Sequence, residues 1–153
     1  MKYTSDVIVD LSLDEFMQKF DNAENMKHWQ KGLVSIEHIS GVPGMVGAKM
    51  KLNYQMGKKK MALIETITHR NLPHEFHGTY SAEGITSLQE NYFETLPNGK
   101  TKWTSVSDFL PLNFMMRAML WLMPNAFKKQ SQNFMNDFKR FAEKGISVNN
   151  ATT

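Results

Sequence analysis

Within Met61-Ala-Leu-Ile-Glu-Thr-Ile-Thr68 a single carboxylate, Glu65, shares strand parity with Met61, Leu63 and Ile67. If that parity faces the interior, burial raises the pKa of the Glu65 carboxyl and suits it to hydrogen-bond a ligand hydroxyl or to move a proton. If Ala62 and Ile64 face inward instead, Glu65 is solvated. A second group of candidates flanks Asn98-Gly99, a strong hairpin signal. A two-residue loop there pairs Pro97 with Lys100 and sets Leu88, Glu90, Tyr92 and Glu94 on one face with Phe109, Ser107, Ser105 and Trp103. That face mixes aromatic with polar groups, as a cavity lining does, and makes Glu90, Tyr92 and Trp103 pocket candidates. A bulge at Pro97 would shift the register and exchange the partners. Acid–base chemistry needs a paired acid and base, for which Glu65, Glu90 and Tyr92 are the available members.

Other chemistries find less support. His69, His74 and His77 surround the turn Asn71-Leu72-Pro73, but a spacing of three sends His74 and His77 to opposite faces of a strand, so they read as exposed loop and edge residues and no metal site is expected. His28 stands beside Trp29 without an assigned role. Cysteine is absent, which removes disulfides, thiolate metal sites and a cysteine nucleophile. No serine-histidine-acid pattern or phosphate loop occurs; Gly41-Val-Pro-Gly44 is turn chemistry, and no cofactor is expected. The formal charge of +3 is small, and the one dense basic run, Lys58-Lys59-Lys60, lies in a predicted hairpin turn, so a nucleic-acid partner is not expected. The N-terminus lacks the apolar core of a signal peptide, and the expected location is the cytoplasm.

The elements that must position these residues are legible from periodicity. A strand is predicted over Tyr3 to Leu11, followed by a helix that starts at Ser12 with Glu15 three residues on and presents Phe16, Met17 and Phe20. A second short helix covers Ala23 to Trp29, whose tryptophan reads as a core anchor. Strands follow over 34–39, 48–56, 61–68, 74–82, 86–95 and 100–109. The second of these alternates most cleanly, with Ala48, Met50, Leu52, Tyr54 and Met56 on one face. The order is α+β: an antiparallel sheet with helices on one side, in one domain over residues 1–147, with a polar and flexible tail over 148–153.

The C-terminal helix has two characters. Phe127, Phe134, Phe138 and Phe141 form one stripe, whereas Phe114 to Met123 is apolar nearly all round, and Pro124 must kink or split the two. From Phe109 to Pro124 the apolar stretch is about 24 Å long as a helix, short of a hydrocarbon core of about 30 Å, and it contains Arg117, so stable membrane insertion is not expected. Twelve methionines, four of them Met115, Met116, Met119 and Met123, suit an adaptable apolar contact. Arg117 is expected to snorkel to solvent.

Several strings resemble the START-like, or SRPBCC, superfamily: DLSLDEFMQKF, NMKHWQKGL, GVPGMVGAKMKL, IETITHRNLPHEFHGTY and DFKRFAEKG. The resemblance runs across nearly the whole chain, is nearest in pattern to polyketide cyclase/dehydrase-like and lipid-transport-like members, and carries no catalytic residue that maps here. It implies a curved seven-stranded antiparallel sheet gripping a long C-terminal helix, with a cavity between them for a hydrophobic small molecule. The expected lining is Met50, Leu52, Tyr54, Glu65, Tyr92 and Trp103 from the sheet and Met115, Met119 and Met123 from the helix. The alternatives are a cyclase/dehydrase-type enzyme using a pocket carboxylate, and an interaction module or homodimer using the Met-rich helix face.

Overall fold

Alternating strands with one apolar face must pack that face on something, and here they form one seven-stranded antiparallel sheet in the order β1-β7-β6-β5-β4-β3-β2. The computed structural model describes residues 1–149. The strands are β1 (Lys2–Val9), β2 (Leu33–Ser40), β3 (Lys49–Met56), β4 (Lys59–Asn71), β5 (Glu75–Ala82), β6 (Ile85–Thr95) and β7 (Thr101–Pro111). Helices α1 (Leu13–Phe20) and α2 (Met26–Trp29), joined by a 3-10 turn, follow β1; α3 (Phe114–Leu122) and α4 (Ala126–Lys144) follow β7. The predicted cap of α1 is present, with the Ser12 hydroxyl accepting from the Glu15 backbone N–H at 3.2 Å.

The concave face of the sheet and α4 enclose the core. Phe138 of α4 is fully buried and its ring lies 4.9 Å from Phe16, 5.2 Å from Trp29 and 5.5 Å from Trp103. Aromatic pairs at these separations add about 0.5–1.5 kcal/mol each beyond the area they bury, so this cluster is what fixes α4 on the sheet. His28 stacks on Phe141, and its ring Nδ1 lies 2.9 Å from the Ser147 hydroxyl. Val148 donates its N–H to the His28 carbonyl, so the start of the expected tail is held to α2; residues 150–153 lie outside the described residues.

The β6–β7 connection corrects the expected register. Thr95 pairs with Thr101, and Leu96 and Lys100 close a three-residue loop in which Gly99 has φ +84. A turn of this kind ends in a left-handed residue that glycine adopts without a Cβ clash. The extra loop residue moves every partner by one position. Phe93, not Glu94, stands opposite Trp103, and Asn91, not Tyr92, stands opposite Ser105. Glu90 and Tyr92 therefore lie on the convex face, away from the interior.

Pro124 does split the C-terminal helix, and the two halves behave differently. Asn113 caps α3 by accepting from the Met116 N–H at 2.9 Å, and α3 leans on the β5–β6 turn, where a side chain at Gly84 would collide with Asn113 and Met116. Only Leu120 of α3 is buried. Phe114 is 86% exposed and Trp121 81%, and Met115, Met119, Leu122 and Met123 are exposed as well. No helix among the described residues is long and apolar enough to cross a membrane.

Candidate functional site

Strand parity decides which face each β4 side chain takes, and β4 turns Glu65 inward. It is 4% exposed, between Met50 of β3 and Tyr80 of β5 as cross-strand neighbours, with Ile67 two residues on. Burial pushes the Glu65 carboxyl above its ordinary range, and the Tyr80 hydroxyl within hydrogen-bonding reach partly offsets this. Burial, then the Glu65 charge, raises the pKa of Tyr80. Tyr54 is raised for the same two reasons, and its hydroxyl donates to the side-chain oxygen of Gln30. Glu65, Tyr80, Tyr54 and Gln30 thus form a polar seam across the interior.

Two chambers lie along that seam. The larger, about 690 Å³, opens between α2, β2 and the β2–β3 loop and is walled by Met50, Glu65, Ile67 and Phe76. The smaller, about 230 Å³, lies under the first half of α4 and is walled by Tyr54, Tyr80, Trp103, Phe109 and Phe134. Phe20, Trp29 and Gln30 line both and form the partition. Arg70 at the end of β4 donates to both carboxylate oxygens of Asp21, at 3.1 and 2.7 Å, and ties the end of α1 to the rim of the larger chamber. Two buried polar atoms on these walls, the Trp29 indole N–H and the Ser87 hydroxyl, have no hydrogen-bond partner among the described residues. Such groups are costly unless something polar meets them.

The expected lining residues do not all lie together. Met50 and Glu65 line the larger chamber and Tyr54 and Trp103 the smaller, while Leu52 is packed in the core beneath them. Tyr92 is on the opposite face of the sheet, for the register reason given above. Met115, Met119 and Met123 are on the exposed side of α3 and touch neither chamber, because Pro124 releases α3 from the line of α4. Sequence reading missed Tyr80, Gln30 and Phe76. Tyr80 shares parity with Gly78 and Phe76 in β5, but only the β4–β5 register puts it opposite Glu65.

The convex face gathers a different set. His69 and His77 are cross-strand partners with rings 4.9 Å apart, and Glu75 lies 2.8 Å from His69 Nε2. One donor atom from each of the three lies within 4.8 Å of the others, a spacing that could hold a metal ion. Nδ1 of His77 already accepts the Asn91 backbone N–H at 3.2 Å, so that nitrogen is engaged in this arrangement.

No protein-family model matches the chain, and no curated protein matches it. Solved structures do match, over 93% of the chain or more. Ara h 8.0201 is 15% identical, with 93% of this chain and 97% of that one covered and a TM-score of 0.71. Ginseng major latex-like protein 151 from Panax ginseng is 14% identical over 93% and 97%, with a TM-score of 0.68. TTHA0849 from Thermus thermophilus is 9% identical over the full length of both chains, with a TM-score of 0.73. At these identities the likeness is one of fold, and the fold is the helix-grip: a curved antiparallel sheet closed around a long C-terminal helix.

Proposed function

We propose that the chain binds a small apolar molecule carrying at least one oxygen function, of lipid or polyketide-like character, in the two-chambered cavity. The observation that carries this reading is Glu65: a buried carboxyl of raised pKa on the wall of a chamber of about 690 Å³, with Tyr80 in reach. Apolar walls with a few fixed polar groups are the usual build of a small-molecule site. A protonated Glu65 donates to a ligand carbonyl or hydroxyl. The Trp29 indole N–H and Ser87 hydroxyl supply two further polar contacts in the wall. A plain hydrocarbon would leave all of these unmet.

Displacement of an uncharged solvatochromic dye tests this with pairs of ligands of equal length, one a hydrocarbon and one an alcohol. The alcohol is expected to bind about tenfold more tightly, the worth of one buried hydrogen bond. In Glu65→Leu the two should bind alike. Equal affinities in the unaltered protein would refute the role given to Glu65. The same carboxyl paired with a phenol also suits proton transfer, which supports a second reading as a cyclase/dehydrase-type enzyme. Glu65→Gln separates the two: a carrier keeps its binding, whereas an enzyme keeps binding and loses turnover.

A further inference from the structure

The cavity leaves an exposed apolar surface on α3 unused. Leu112, Phe114, Met115, Trp121, Leu122 and Met123 are each more than half exposed, and they cover one side of α3 and the residues flanking it. Helical spacing puts Phe114, Met115, Trp121 and Leu122 on a common arc, opposite the buried Leu120. A patch of this kind marks an interaction site, and its surroundings identify the partner.

The charge around the patch is mostly positive. No aspartate or glutamate occurs between Asp108 and Asp137, a stretch that holds Arg117, Lys128 and Lys129. Antiparallel pairing brings the β3–β4 hairpin to the same end of the sheet as the β5–β6 turn on which α3 rests, and that hairpin carries Lys58, Lys59 and Lys60 between the exposed Met56 and Met61. The acidic groups at this end are Glu83, in the β5–β6 turn, and Asp108, which pairs with the N-terminal ammonium at 3.6 Å. A second copy docked face to face would set these lysines against one another. An anionic lipid surface instead meets them with phosphate and carboxylate headgroups while Phe114, Trp121 and Leu122 enter the apolar layer. Tryptophan is well suited to that boundary.

We infer that α3 and the lysines beside it form a reversible docking surface for a membrane containing anionic lipid. The smaller chamber reaches the same end, since Met61, Ile85, Phe109 and Phe127 are among its walls. The bilayer then becomes the source or acceptor of the cavity's ligand, a point that rests on the binding function proposed above, whereas the docking itself does not.

Sedimentation with phosphatidylcholine vesicles, with and without phosphatidylserine, tests the docking. Trp121 reports on it directly, because Trp29 and Trp103 are buried. The expected result is co-sedimentation and a blue shift of tryptophan emission with phosphatidylserine present, both weakened at least tenfold without it or in high salt. The double change Phe114→Asp and Leu122→Asp should abolish both while the circular dichroism spectrum and dye uptake by the cavity are retained. Lys128→Ala with Lys129→Ala should weaken sedimentation about tenfold or more, since each cation near an anionic surface adds to the attraction. Protein that stays in the supernatant with phosphatidylserine at low salt overturns the inference. So does a dimer in light scattering that the Phe114/Leu122 change dissolves, which would assign the patch to a second copy. Dye uptake without sedimentation removes the docking alone, and sedimentation without dye uptake removes the cavity function alone.

Discussion

Two carboxyl–phenol pairs occupy opposite faces of the same sheet. On the concave side Glu65 and Tyr80 face each other across β4 and β5; on the convex side Glu90 of β6 accepts a hydrogen bond from the hydroxyl of Tyr92 two residues along the strand. Both phenols are raised, Tyr92 to about 12, but for different leading causes. The hydrogen bond to Glu90 comes first for Tyr92, and burial comes first for Tyr80. The inner pair has space for a ligand beside it, on the wall of the larger chamber. The lesson is that residue type and pairing do not make a site; the dielectric and the cavity around them do.

The largest effect that would sharpen this contrast is the loss of one hydroxyl. Tyr80→Phe leaves a buried carboxyl without its partner and should cost about 1–3 kcal/mol of stability, whereas Tyr92→Phe should stay within about 0.5 kcal/mol. Chemical denaturation of both variants measures the difference, and equal losses would break the comparison.

Next in size is the pH dependence. The Glu65 carboxyl holds its proton more tightly folded than unfolded, so stability is fully present below the ordinary value of 4.5 and falls as pH rises from there through the raised folded-state value. While the two states differ by one proton, the slope is about 1.4 kcal/mol per pH unit. Glu65→Gln should remove that slope and Glu90→Gln should keep it. Denaturation midpoints of the three proteins at a series of pH values supply the check, and a slope surviving in Glu65→Gln would assign it to another group.

The smallest expected effect is on the convex side. His69 and Glu75 form an exposed pair, and His69→Ala should change stability by less than about 1 kcal/mol, with the difference shrinking further in high salt. A larger loss, read from thermal melts, would mean that the convex cluster has a structural role that its exposure does not suggest.

Much of the fold was legible because its signals are periodic. The clean alternation of β3, the Ser12 cap, and the phenylalanine stripe of α4 each point to one geometry. Strand parity put Met50 and Tyr54 on one face of β3, whereas in β4 it left both faces open for Glu65. The site was hidden where it depends on pairing between strands. One additional residue in the Pro97-Asn98-Gly99 loop exchanges Glu90 and Tyr92 for Gln89 and Asn91 on the inner face. The β4–β5 register creates both the Glu65–Tyr80 pair and the His69–His77 pair, and neither follows from spacing along one strand. The course of α3 was hidden for another reason: an all-round apolar helix has no preferred face, so its pattern does not say which side meets the protein.

Native mass spectrometry of gently purified protein, with an organic extract of the same sample analysed beside it, tests the central claim most directly. The account predicts a bound mass that disappears on denaturation, reappears in the extract as an apolar molecule bearing oxygen, and is reduced in Glu65→Leu. Protein that is free of ligand and also takes up neither member of the alcohol and hydrocarbon pairs would contradict it.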